Sequence, residues 1–322
     1  MKAASFDYVR AASIDEACEW LHRDGEEAKL IAGGQSLVPM MAMRLTRPAR
    51  LVDINEIAAL KFITLEDGVA RVGACTRQCV IARDDALYAR VPLLRRALAW
   101  VGHAQTRNRG TLGGSLAQAD PAAELPLAAQ VLEAQIVVRS TAGTRTLPAA
   151  ELFIGPLTTA LEAHECIGEI HWPVWTEQRT GCAFLEVSRR HGDFAIIEAC
   201  AQVAVDDDGR CTRVAFGLGG GGTKPIAFPA LAERLIGTRL DDDVTQSVAH
   251  DAAAELDPGS DLHASAAYRR HLAVVLAARV LREAHAEATA TPRRVGEAIA
   301  KPRTRRVGEA VAKPTIQPKE KP

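Results

Sequence analysis

The chain is poor in aromatic side chains, 4% of 322 residues, and nearly free of net charge, with 39 Lys and Arg against 40 Asp and Glu. Near-neutrality speaks against nucleic acid as a partner of the chain as a whole. The seven cysteines stand singly, at Cys18, Cys75, Cys79, Cys166, Cys182, Cys200 and Cys211, with no C-x-x-C spacing to ligate zinc or an iron–sulfur cluster. Reduced, mostly buried thiols are expected. The nine histidines form no metal-ligand pairs, and no nucleophile, base and orienter set is visible. No run approaches the length of a membrane span, and residues 1–7 lack the apolar core of a signal peptide, so a cytoplasmic location is expected. A G-x-G-x-x-G fingerprint is also missing, which disfavours an ordinary Rossmann NAD site.

What the chain does have is a pair of glycine loops. Ala32-Gly33-Gly34-Gln35-Ser36 is answered about eighty residues later by Thr111-Leu112-Gly113-Gly114-Ser115. Paired glycines let backbone N–H groups approach phosphate oxygens with no Cβ in the way, and two such loops suit the two phosphates of a dinucleotide. The first sits in a predicted βαβ unit, strand 28–32, helix 37–45 and strand 50–54, where a helix N-terminus adds its positive end. Pro39 falls in that helix's first turn.

Further along, 93–101 reads as helix, and Asp120-Pro121 reads as N-cap and first residue of a helix over 122–132. Runs at 135–140, 144–147 and 166–172 suggest a mixed or antiparallel sheet. After a polar link at 174–180, β runs at 182–188, 195–206 and 211–218 follow, with Asp207-Asp208-Gly209-Arg210 as a hairpin turn. Gly219 to Gly222 reads as a connection, since no helix begins directly after it. A helix over 265–287 closes the pattern. From Thr291 the sequence repeats itself, Arg293 to Pro302 returning as Arg305 to Pro314, and carries nine Lys and Arg against three Glu. This basic, Pro-rich tail, 291–322, is expected to be disordered.

Three stretches carry a family resemblance: Ala32 to Leu37; Arg107-Asn108-Arg109-Gly110-Thr111-Leu112-Gly113-Gly114-Ser115 continuing to Ala119-Asp120-Pro121-Ala122-Ala123-Glu124-Leu125-Pro126; and Phe184 to Ala195. They resemble the FAD-binding medium subunit of molybdenum hydroxylases of the carbon monoxide dehydrogenase and xanthine dehydrogenase type. The resemblance implies an α+β chain: a two-lobed FAD-binding domain over 1–176, with a small α/β lobe and a larger mixed-sheet lobe, then an α+β domain over 177–290. It places the FAD pyrophosphate on Leu30, Ile31, Ala32, Gly33, Gly34, Gln35, Ser36 and Leu37, and on Thr111, Leu112, Gly113, Gly114 and Ser115. Val101, Ile167 and Leu185 fall on positions beside the flavin, and Glu124 on a carboxylate position that fixes the cofactor. Asp120 reads either as the helix N-cap or as a cofactor contact. Arg189, Arg190 and Asp193 read either as an ion-pair cluster or as groups at the flavin edge. Some relatives have lysine where this chain has Leu185.

The resemblance further implies an electron-transfer role. Electrons would come from [2Fe–2S] clusters on a small partner subunit, after substrate oxidation at a molybdenum cofactor on a large one. They would leave to an external acceptor, in a dimer of heterotrimers. Flavin carries such chemistry itself, which agrees with the lack of a catalytic triad. Two other readings stand beside this one: a self-sufficient FAD oxidoreductase of the same wider fold, and a non-catalytic nucleotide-binding protein.

Overall fold

The computed structural model describes residues 2–290 and the backbone of Arg303–Arg306. A small first lobe holds three parallel strands in the order Asp7–Arg10, Arg50–Asp53, Ala28–Ile31. Helix Ile14–Asp24 covers them through Ala17, Cys18 and Leu21, which join Val52 and Ile54 in one core. Its start is set by a reciprocal cap: the Ser13 hydroxyl accepts from Glu16 N–H at 3.1 Å, and the Glu16 carboxylate accepts from Ala12 N–H at 2.7 Å. The helix expected over 37–45 spans only Leu37–Ala42, and Arg44 at φ 60° ends the turn that follows it.

The second lobe is an antiparallel sheet ordered Arg303–Arg306, Phe62–Glu66, Val69–Gly73, Cys166–Pro173, Gln135–Ser140, Gly143–Pro148. Antiparallel pairing throughout is one of the two arrangements expected from the sequence. Apart from the strand Arg303–Arg306, the tail expected to be disordered lies outside the described residues. Helix Glu124–Val131 is buried along its whole length, and an all-round apolar helix needs cover on every side. The lobe's own core supplies part of that cover, and strands of the next domain supply the rest. This helix starts two residues later than expected, and Asp120 is not its N-cap. The Asp120 carboxylate instead accepts from Ala122 N–H at 2.9 Å, closing a turn before the helix.

The third domain is an antiparallel sheet, Thr180–Val187, Ile197–Val205, Cys211–Gly219 and Ile226–Ala227, under helices Asp242–Ala254 and Ala266–Ala290. Asp206 closes the expected hairpin by accepting from Asp208 and Arg210 N–H groups at 3.0 and 2.8 Å. Every residue of Ile197–Val205 is buried, because the two faces of the sheet meet different neighbours. Cys182, Phe184 and Cys200 belong to the core of the second lobe, whereas Ala183, Ala199 and Ala201 pack with the C-terminal helices. The glycine run is a connection, as expected, and Gly220 N–H donates to Pro121 O at 2.8 Å, tying this domain to the turn before Glu124.

Candidate functional site

A cleft of about 590 Å³ runs between the first two lobes and reaches the third domain, within the usual size for a cofactor site. Of the residues singled out from sequence, Leu30, Ala32, Gly33, Gly34, Gln35, Ser36, Leu37, Val101, Thr111, Gly113, Gly114, Ser115, Asp120, Glu124 and Ile167 line it. Ile31, Leu112 and Leu185 do not. Leu112 is fully buried in the lobe core. Leu185 follows the strand alternation: its neighbours Phe184 and Glu186 face the second lobe, so Leu185 faces the C-terminal helices, where it packs. Expected beside the flavin, Leu185 packs its side chain on the other face of the sheet, outside the cleft lining.

The two glycine loops differ in kind. Among the described residues, the backbone N–H groups of Gly33, Gly34, Gln35 and Ser36 meet no acceptor within the chain. Gly34, at φ 71°, turns the backbone so that consecutive N–H groups form an anion-binding concavity. In the second loop the donors of residues 112–115 are occupied. Leu112 N–H goes to Thr76 O at 3.2 Å and Gly113 N–H to Ala74 O at 2.8 Å. Gly114 N–H goes to Thr111 Oγ1 at 3.1 Å, and Ser115 N–H to Thr111 O at 3.2 Å. Backbone donors are expected on both loops; residues 33–36 leave theirs without an acceptor among the described residues, whereas residues 112–115 use theirs within the chain. Glycine is needed in the second for close approach, since a Cβ on Gly113 would lie 2.6 Å from the Ala74 Cβ. The loops also touch each other: a Cβ on Gly33 would stand 2.4 Å from Arg109 O.

Beyond the loops, Arg107 donates to Val101 O at 2.7 Å and Gly102 O at 2.9 Å, fixing the wall that Val101 forms. The third domain contributes residues 192–194, including Phe194 with its ring exposed. His191 stacks on Trp100 with ring centroids 5.6 Å apart, and Trp100 Nε1 donates to Phe184 O at 3.2 Å, so this loop is moored to the second lobe. Asp193 lines the cleft, but Arg189 and Arg190 do not. Arg190 pairs with Asp193 at 4.0 Å and Arg189 contacts His263, so elements of both readings of that segment are present.

Carboxyls gather where the third domain meets the cleft. Glu186 and Glu198 are opposite one another in the strand pairing, and Glu198 lies over Gly219. Among the described residues, the Glu198 carboxyl has no hydrogen-bond partner, and Ser188 is the one side chain beside the Glu186 carboxyl that eases its burial. Burial pushes Glu124 up to about 8 and Glu186 up to about 7, raises Glu198 well above its ordinary value, and raises Asp120. Glu124 is therefore held largely neutral at pH 7, which suits hydrogen-bond donation into the cleft it lines.

Sequence reasoning missed Gln78, Thr106 and Gly110, which also line the cleft. Gln78 is buried with Oε1 unpartnered, against the Cα of Gly110. Nothing local marked it, because it reaches the cleft through the bond from its N–H to Gly110 O at 2.9 Å. No group of three His, Cys, Asp or Glu side chains among the described residues could hold a metal ion. No helix among them is long and apolar enough to cross a membrane.

Residues 4–175 match the family model of the FAD binding domain in molybdopterin dehydrogenase, and residues 182–284 that of the CO dehydrogenase flavoprotein C-terminal domain. The chain is 40% identical to the 6-hydroxypseudooxynicotine dehydrogenase complex subunit alpha of Paenarthrobacter nicotinovorans, covering 88% of this chain and 96% of that one. Among solved structures it resembles a chain of carbon monoxide dehydrogenase from Hydrogenophaga pseudoflava, with TM-score 0.86 and 32% identity over 89% of this chain and 99% of the other. It likewise resembles a chain of quinoline 2-oxidoreductase from Pseudomonas putida 86, with TM-score 0.85 and 35% identity over 90% and 100%. The free N–H groups of the first loop and the size of the cleft fit a dinucleotide, and the chain belongs to the family of FAD-binding medium subunits of molybdenum hydroxylases, oxidoreductases in which this subunit carries FAD.

Proposed function

We propose that the chain takes electrons from [2Fe–2S] clusters on a small partner subunit and passes them to an external acceptor, within a cytoplasmic dimer of heterotrimers whose large subunit holds the molybdenum cofactor. FAD supplies the chemistry, since it accepts and releases electrons singly or in pairs. The observation that carries the site assignment is the row of unpartnered N–H groups over residues 33–36 at the cleft wall. These groups receive the pyrophosphate. Val101 and Ile167 would exclude water from a bound flavin, and Glu124, neutral at pH 7, would be able to donate a hydrogen bond to it. The 192–194 loop closes the far end and presents the face at which electrons leave. Single cysteines and the lack of a metal-binding group among the described residues support placing the metal centres on partners.

The full chain, purified alone, is expected to hold about one FAD per chain, non-covalently, to be reduced by dithionite, and to oxidise no substrate. Co-expression with a large molybdenum chain and a small iron–sulfur chain is expected to give a complex with substrate-dependent acceptor reduction. Substrate-dependent dye reduction by the metal-free chain alone would favour the self-sufficient oxidoreductase and overturn the subunit reading.

A further inference from the structure

The pyrophosphate loop is held open by something behind it. Asn55, just past strand Arg50–Asp53, lies outside the cleft lining. Its Nδ2 donates to Ala32 O at 2.7 Å and Ile31 O at 3.3 Å, and also contacts Asp53 Oδ1 at 2.7 Å. Its Oδ1 accepts from Arg77 Nη2 at 2.6 Å. The other terminal nitrogen of Arg77 donates to Arg109 O, the carbonyl against which Gly33 packs. Asp53 Oδ1 also takes Asn55 N–H at 2.7 Å, and Asp53 Oδ2 takes the Tyr8 hydroxyl.

In a planar trans peptide, the C=O of one residue and the N–H of the next point in opposite directions. Asn55 draws the Ala32 carbonyl away from the cleft, so the Gly33 N–H is turned toward it. Arg77 then sets where the second loop stands relative to the first, because one guanidinium spans Asn55 and Arg109 with a fixed separation between its nitrogens. We infer that Asn55 and Arg77 are positioning residues for FAD: a brace that aims the first glycine loop's N–H groups at the pyrophosphate and fixes the distance between the two loops. Neither touches the cofactor cleft, so their effect passes through Ala32 and Arg109.

The brace predicts a selective defect. ADP carries a pyrophosphate without flavin, and riboflavin carries flavin without phosphate. The full chain, freed of flavin, is titrated with FAD, ADP and riboflavin. Asn55→Ala and Arg77→Met are each expected to weaken FAD and ADP about tenfold, the loss of one to two net hydrogen bonds, with riboflavin within about twofold of wild type. Arg77→Lys, which keeps the charge and restores at most one of the two bridging bonds, is expected to recover part of the affinity. Should Asn55→Ala not fold, the Arg77 pair carries the same comparison. Equal losses for ADP and riboflavin would show general structural damage and overturn the brace, as would unchanged FAD affinity in the variants. The inference rests on the FAD assignment, and the outcomes separate: a wild type that binds neither FAD nor ADP overturns that assignment and the brace with it. A wild type that binds both, beside variants that bind equally well, overturns the brace alone.

Discussion

Replacing Glu124 by Gln tests whether the third domain meets the cleft over carboxyls that are kept protonated. Burial is the largest cause that lifts Glu124 from 4.5 to about 8; a hydrogen bond from its own backbone N–H opposes it, Glu186 and Asp120 add to it, and Arg107 opposes it further. Below pH 4.5 the folded and unfolded chains both hold the proton, and burial of the acid brings no pH-dependent cost. As pH rises from 4.5 toward about 8, the unfolded chain releases the proton while the folded chain keeps it, so stability falls. At about 1.4 kcal/mol per pH unit, the loss at pH 7 is about 3 kcal/mol. Gln has nearly the same shape and no proton to release. The stability difference between Glu124→Gln and wild type should therefore be near zero at about pH 4.5, reach about 3 kcal/mol in favour of the variant at about pH 7, and stop growing above about pH 8. Thermal scans of the flavin-free full chain across that range should show the variant melting about 6 °C higher at pH 7. A gap that does not change with pH, or a variant less stable at pH 7, would refute the buried neutral acid.

Three further outcomes follow from the same geometry. Gly33→Val places carbon against Arg109 O, where even a Cβ would be 2.4 Å away; flavin content on purification is expected to fall at least about tenfold, and full FAD retention would remove the first loop from the site. Thr111→Val deletes the Oγ1 that caps Gly114 N–H at 3.1 Å and should destabilise the chain by about 1 kcal/mol in urea titration, an unchanged midpoint contradicting the cap. A chain ending at Ala290 is expected to keep its FAD, because the cleft-lining residues among those described all precede it; a lower flavin-to-protein absorbance ratio would show that the tail supports the FAD-binding domain.

Local patterns carried a good deal of this protein. The β runs at 195–206 and 211–218 with the Asp207 to Arg210 turn between them made the hairpin legible, and the Ser13 to Glu16 spacing built its cap with no help from elsewhere. Gly33 and Gly34 announced an anion-binding turn for the same reason: a positive φ and a missing Cβ are properties of the residue itself. What the tertiary structure decided is which of two similar loops keeps its donors. Leu112 and Gly113 lose theirs to Thr76 and Ala74, residues more than thirty positions away that only the fold brings alongside. Likewise Leu185 and Glu186 are neighbours in sequence, yet a sheet buried on both faces sends one to the C-terminal helices and the other toward the second lobe. Residue type and spacing set what each segment could do. Which partner each polar group found depended on contacts across the chain, and those are settled by burial and pairing among lobes that the sequence lists far apart.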